Sequence, residues 1–132
     1  VLVKRQLFFL SFREKLTNLL SLTMSYEIRY YNLEVEASLF ALPFSLQARY
    51  VALSKRMQVY GANLGEPHTK ALGDGLFELR LKGVEGIARV FYCTLVGQQI
   101  VMLHSFIKKS QKIPAGELRL AKSRLQEVKN DT

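Results

Sequence analysis

The chain of 132 residues has one cysteine and two histidines, and its apolar runs fall far short of the roughly 20 residues that a membrane-spanning helix needs. Each shortage excludes a class. A single thiol, Cys93, forms no intrachain disulfide, and its setting in Val90-Phe91-Tyr92-Cys93 reads as a buried strand in which it is a small core residue. No Cys or His cluster has metal-ligand spacing, and no cofactor is expected. These shortages predict a cytoplasmic protein with no membrane attachment and no metal.

What the sequence has in excess is positive charge. Nineteen Lys and Arg face eleven Asp and Glu, for a formal charge of +8 and a pI near 9.8. Clustered cations gain affinity by releasing counterions from phosphates, so a polyanion is the expected partner, with an acidic protein as the other option. Hydrophobic content of 48% over this length fits one core and one domain. The first methionine is Met24, directly before Ser25-Tyr26-Glu27-Ile28-Arg29-Tyr30-Tyr31. Residues 1–23 are therefore set apart as an N-terminal extension or the product of a mis-assigned start, and 24–132 as the domain. Lys4-Arg5 before Leu7-Phe8-Phe9-Leu10 has the look of a signal peptide, but Arg13, Glu14 and Lys15 interrupt it and no small-residue cleavage site follows.

Periodicity predicts an opening strand over Tyr26 to Tyr31, then helices over Val35 to Leu42, stopped by Pro43, and over Ser45 to Tyr60, closed by Gly61 as a left-handed cap. Ala62 to Gly75 holds Gly65, Gly73 and Gly75 with Asn63, Pro67 and Asp74, and reads as a long loop ending in a tight turn. Strands over Leu76–Leu81, Ile87–Leu95 and Gln99–Phe106 are joined by short glycine-containing links, the mark of an antiparallel meander. In the first of them Leu76, Glu78 and Arg80 share one face, read as polar, while Phe77, Leu79 and Leu81 share the buried one. After Pro114, Leu118, Ala121, Leu125 and Val128 form the apolar stripe of a final helix over Ala115 to Lys129. The fold class is α+β: a small antiparallel sheet packed against N-terminal helices, with a C-terminal helix.

Three motifs stand in order: Leu72-Gly73-Asp74-Gly75-Leu76-Phe77-Glu78-Leu79-Arg80, then Arg89-Val90-Phe91-Tyr92, then Leu103-His104-Ser105-Phe106-Ile107-Lys108-Lys109-Ser110-Gln111-Lys112-Ile113-Pro114. The series, over about residues 26 to 129, resembles the phage-type branch of the RelE/HigB toxins in the RelE/ParE superfamily. That resemblance implies the toxin of a type II toxin–antitoxin system, a ribosome-dependent mRNA endonuclease. In it a 2′-hydroxyl attacks the adjacent phosphate and leaves a cyclic phosphate or 3′-phosphate, without a metal. It also implies a cognate helix-turn-helix antitoxin as partner, through which alone operator DNA is contacted, with the ribosome and mRNA as targets.

Such chemistry requires a proton to leave the 2′-hydroxyl, charge on the phosphorane to be stabilised, and the departing 5′-oxygen to be protonated. Arg80 and Arg89, on neighbouring strands, are the first candidates, because an Arg fork grips phosphate oxygens with two parallel hydrogen bonds. His104 has the pKa for acid or base work; its other reading is a strand histidine buried beside Phe106 and bonded to backbone. Lys109 joins these as catalytic, and Lys82, Lys108 and Lys112 as RNA-binding, against the ordinary reading of a solvated charge run. Tyr92 and Phe106 are candidates to stack a base, Tyr92 being also a core candidate. His68, in the loop, is a weaker candidate for RNA contact. The pattern departs from some relatives at Glu78, where a basic residue can stand; this weakens the phosphate grip or leaves Glu78 partly neutralised by Arg80.

The same scaffold is shared by toxins that poison DNA gyrase, and a ParE-like gyrase inhibitor is the main alternative. Arg80, Arg89, His104 and the Lys108-Lys109 pair favour the nuclease, since a gyrase poison needs no phosphate-cleaving constellation. A non-catalytic module that binds nucleic acid or antitoxin is the third reading.

Overall fold

The computed structural model describes residues 25–109 and 111–131, so the expected extension and the question of Met24 lie outside the described residues. The order is β1 (Glu27–Tyr30), α1 (Leu33–Phe40), α2 (Phe44–Tyr60), β2 (Thr69–Gly73), β3 (Leu76–Gly83), β4 (Gly86–Leu95), β5 (Gln99–Ile107) and α3 (Ala115–Asn130). The strands form one sheet in the order β1-β5-β4-β3-β2. The fold is α+β as read from the sequence, and the β3-β4-β5 meander is antiparallel.

Two features depart from the sequence reading. β1 joins the sheet parallel to β5, so the sheet is mixed, with four antiparallel strands and one parallel edge. Thr69–Gly73, expected within a loop, is an edge strand paired antiparallel with β3. Only Thr69 is buried in it, so its five residues carry almost none of the alternation that reveals a strand.

Local chemistry accounts for the helix limits. Asn32 caps α1, its Oδ1 accepting from the Val35 N–H at 2.8 Å, with Glu34 and Glu36 in the first turn where the helix dipole favours acids. Pro43 gives α2 no side-chain cap; instead the Ser45 N–H donates to Glu85 in the β3–β4 turn at 2.6 Å, and the Glu85 N–H donates back to Ser45 Oγ at 3.3 Å. Gly83 permits this approach, since a Cβ there would run into the Ser45 side chain. The hairpin tip is thus pinned to the start of α2.

The sheet is covered on both faces. Leu46, Tyr50, Leu53 and Met57 of α2, with Val35 and Leu39 of α1, pack against Leu79, Leu81, Val90, Tyr92, Ile100 and Met102. On the opposite face Ala121, Leu125 and Val128 of α3 cover Leu76, Phe91, Cys93, Val101 and Leu103. The pairing register orders this second face in rows: Leu76–Cys93–Val101, then Glu78–Phe91–His104, then Arg80–Arg89–Phe106, then Lys82–Ile87, whose carbonyl accepts from the Lys108 N–H at 2.8 Å. The face grades from an apolar end under α3 to a basic end.

Candidate functional site

The basic end of that face holds two adjoining cavities. The first, of about 390 Å³, is lined by Arg49, His68, Arg80, Lys82, Arg89 and Lys108, with Pro67, Ile87 and Gln111. The second shares Arg80, Arg89, Lys108 and Gln111 with it and adds Lys70, Leu72, Glu78, Lys112 and Ile113. Together they make one trough walled by cations from α2, β2, β3, β4 and the segment after β5. No local spacing in the sequence would gather these residues; the antiparallel register of β3 on β4 and the continuation of β5 do.

Two arginines expected to grip phosphate stand side by side at the seam, as the Arg80–Arg89 pairing dictates. Beneath them lies Glu78, 1% exposed, whose Oε1 accepts from Arg80 Nε at 3.1 Å and Arg89 Nη1 at 2.7 Å. Arg80 Nη1 also donates to the exposed Glu66 at 3.2 Å. The expectation of a polar, solvated face at Glu78 is therefore corrected: the two guanidinium groups cover it. Its second oxygen, Oε2, is buried without a hydrogen-bond partner, and so is Arg89 Nε. Removing one partner from a buried pair leaves an uncompensated charge and costs about 3–5 kcal/mol, so the three side chains act as one unit.

The other expected residues divide. Lys82, Lys108 and Lys112 line the trough, as does His68. Lys109 is exposed and borders a shallow depression with Ile87, Lys108 and Gln111 beside it. Phe106 is half-buried in the Arg80–Arg89 row, its ring 5.6 Å from Phe91 and 6.0 Å from His104. His104 stands one row towards α3, outside the lining of either cavity, and its Nε2 is 3.0 Å from Glu117 Oε2 at the start of α3. Its bond is thus to a helix carboxylate and not to backbone. Tyr92 does not stack a base: it is fully buried on the opposite face, stacked on Phe77 at 5.4 Å, with its hydroxyl donating to the Ala62 carbonyl. Burial pushes its phenol far above the usual tyrosine range.

Arg49 and Lys70 are the trough cations that sequence reasoning missed, Lys70 because it falls in the stretch read as a loop. Arg49 is the one that lines the first cavity. It sits on the exposed side of α2 and has no ion-pair partner among the described residues. A single Arg in an amphipathic helix carries no signal of its own; only the pinning of the β3–β4 hairpin to the start of α2 brings it to the trough. What the arrangement can do is bind a chain of phosphates, because Arg49, Lys82 and Lys108, with no ion-pair partner among the described residues, surround a two-arginine fork.

A comparison with curated proteins returned no match. A family model described as "Phage derived protein Gp49-like (DUF891)" matches residues 37–126, which take in every lining residue of both cavities. With most of its length matched, the chain belongs to the phage-derived Gp49-like family.

Proposed function

We propose that this Gp49-like protein is the toxin of a type II toxin–antitoxin pair and that it cuts messenger RNA on the ribosome. The observation that carries the reading is the trough in which Arg80, Arg89, Lys82, Lys108 and Arg49 converge, in the part of the chain that resembles RelE/HigB toxins. In the reaction the ribose 2′-oxygen bonds to the adjacent phosphorus and loses its proton, while the P–O5′ bond breaks and the 5′-oxygen gains one. Arg80 and Arg89 hold the non-bridging oxygens, where negative charge grows as the phosphorane forms. Lys108, which lines both cavities, steadies the leaving side, and Arg49 and Lys82 hold the neighbouring phosphate. Cations fixed around the reacting group do the electrostatic work that a metal ion does elsewhere, and they would repel one.

The partners follow from the charge. An acidic segment of a helix-turn-helix antitoxin would fill the same trough, and complementary charge would speed that association more than it would set the final affinity. Operator DNA is then reached only through the antitoxin, and a ribosomal target places the protein in the cytoplasm. The test is the full-length protein on ribosomes programmed with a defined mRNA. Cuts inside the codon held in the decoding site are expected, with a cyclic phosphate or 3′-phosphate on the upstream product. Arg80→Ala and Arg89→Ala should each slow cutting by about 10²-fold or more, and Arg49→Ala should act mainly on binding. Intact mRNA together with inhibited supercoiling by gyrase would overturn the reading.

A further inference from the structure

Among the described residues Glu78 is the only charged side chain that is fully buried. Its surroundings are lopsided. One oxygen, Oε1, takes both guanidinium contacts, at 3.1 Å from Arg80 and 2.7 Å from Arg89, while Oε2 takes none. Burying a carboxylate is costly unless its oxygens are satisfied, and an apolar residue would have continued the Leu76–Cys93 row beside it. What the shared oxygen does achieve is to tie two arginines to one point, which leaves Arg80 Nη2 and Arg89 Nη2 without partners among the described residues.

We infer that Glu78 is a positioning residue that sets both the geometry and the charge of the phosphate site. It holds the two guanidinium groups as a single fork and cancels one of their two charges from below, while the exposed Glu66 pairs with Arg80 at the rim, so a phosphodiester meets a rigid, partly neutralised pair. Without it two like charges on adjacent strands would repel, and the arginines would follow the phosphate instead of directing it. The inference rests on the reading of the trough as an RNA site.

Two substitutions separate geometry from charge. Glu78→Gln keeps the shape and removes the charge; Glu78→Asp keeps the charge and shortens the reach. Binding of full-length protein to a 2′-O-methyl oligonucleotide, which lacks the attacking hydroxyl, would be followed by fluorescence anisotropy across a KCl series. Cutting would be followed on programmed ribosomes. Glu78→Gln should bind the probe about threefold or more tighter, with a steeper salt dependence, yet cut about tenfold or more slowly. Glu78→Asp should bind like the wild type and cut roughly 10²-fold more slowly. A structural role alone would weaken binding and cutting together in both. Glu78→Gln binding no tighter, or Glu78→Asp cutting at the wild-type rate, would overturn the inference. If Glu78→Gln fails to fold, as thermal melting would show, Glu78→Asp decides alone. A wild type that binds the probe but cuts nothing would fail the nuclease reading while the binding comparison still decides the charge effect.

Discussion

On one face of the sheet, two residues of opposite chemistry occupy neighbouring rows and owe their behaviour to what covers them. Cys93 lies under α3 with Leu125 and Val128, and burial pushes its thiol up to about 11, against a weaker pull from Lys129. The thiolate is the reactive form, so a thiol reagent at pH 8 should label native protein negligibly and unfolded protein fast. The fold favours the protonated thiol. Its contribution to stability is therefore complete below the unfolded value of about 9 and is lost as pH rises through 11, by about 3 kcal/mol at most. Urea midpoints measured from pH 8 to 11 should fall in wild type more than in Cys93→Ser. Rapid labelling of the native protein would contradict this. Glu78 is buried by its own partners, Arg80 and Arg89, and this is why strict alternation along β3 gave it the wrong environment: the pattern shows which face a residue takes, not what lies over it. Arg80, Arg89, Lys108 and Lys112 were legible because they fall within three motifs, and Lys82 because it follows the first of them by two residues. Arg49 was not, since its place in the trough depends on contacts between α2 and a hairpin some forty residues later, Ser45 with Glu85.

At the scale of elements, the helices, the meander and β1 as a strand were readable because their signals are local, while β2 and the pairing of β1 were not. β2 lacks an alternating pattern, and the parallel alignment of β1 with β5 is a contact between chain segments about seventy residues apart, which no short window holds. Gly61 was read as a left-handed helix cap, and its φ is +101°, but its ψ of 176° puts it in a region that is essentially reserved for glycine. A Cβ there would also lie 3.3 Å from the Tyr26 ring. Gly61→Ala should therefore cost about 1–3 kcal/mol in urea denaturation. Gly116→Ala, in α3 with open space around its Cβ, should be neutral or stabilise by about 0.5–1 kcal/mol. Equal losses from both would contradict the reading of Gly61 as a cap whose backbone conformation only glycine tolerates.

Across the whole molecule, the division of labour follows the sheet. One face is a complete apolar layer under α1 and α2; the other is apolar under α3 and basic beyond it, where Arg80, Lys82, Arg89 and Lys108 gather. None of the described helices is long and apolar enough to cross a membrane. The central claim, that this basic end cuts translated mRNA, is tested most directly in cells. The protein would be induced, transcript 5′ ends mapped across the transcriptome, and Arg80→Ala and Arg89→Ala run beside it. Cuts confined to translated reading frames, lost in both variants and absent when translation is blocked, are the expected result. Intact transcripts with growth arrest and induction of the DNA-damage response would contradict it and point to gyrase.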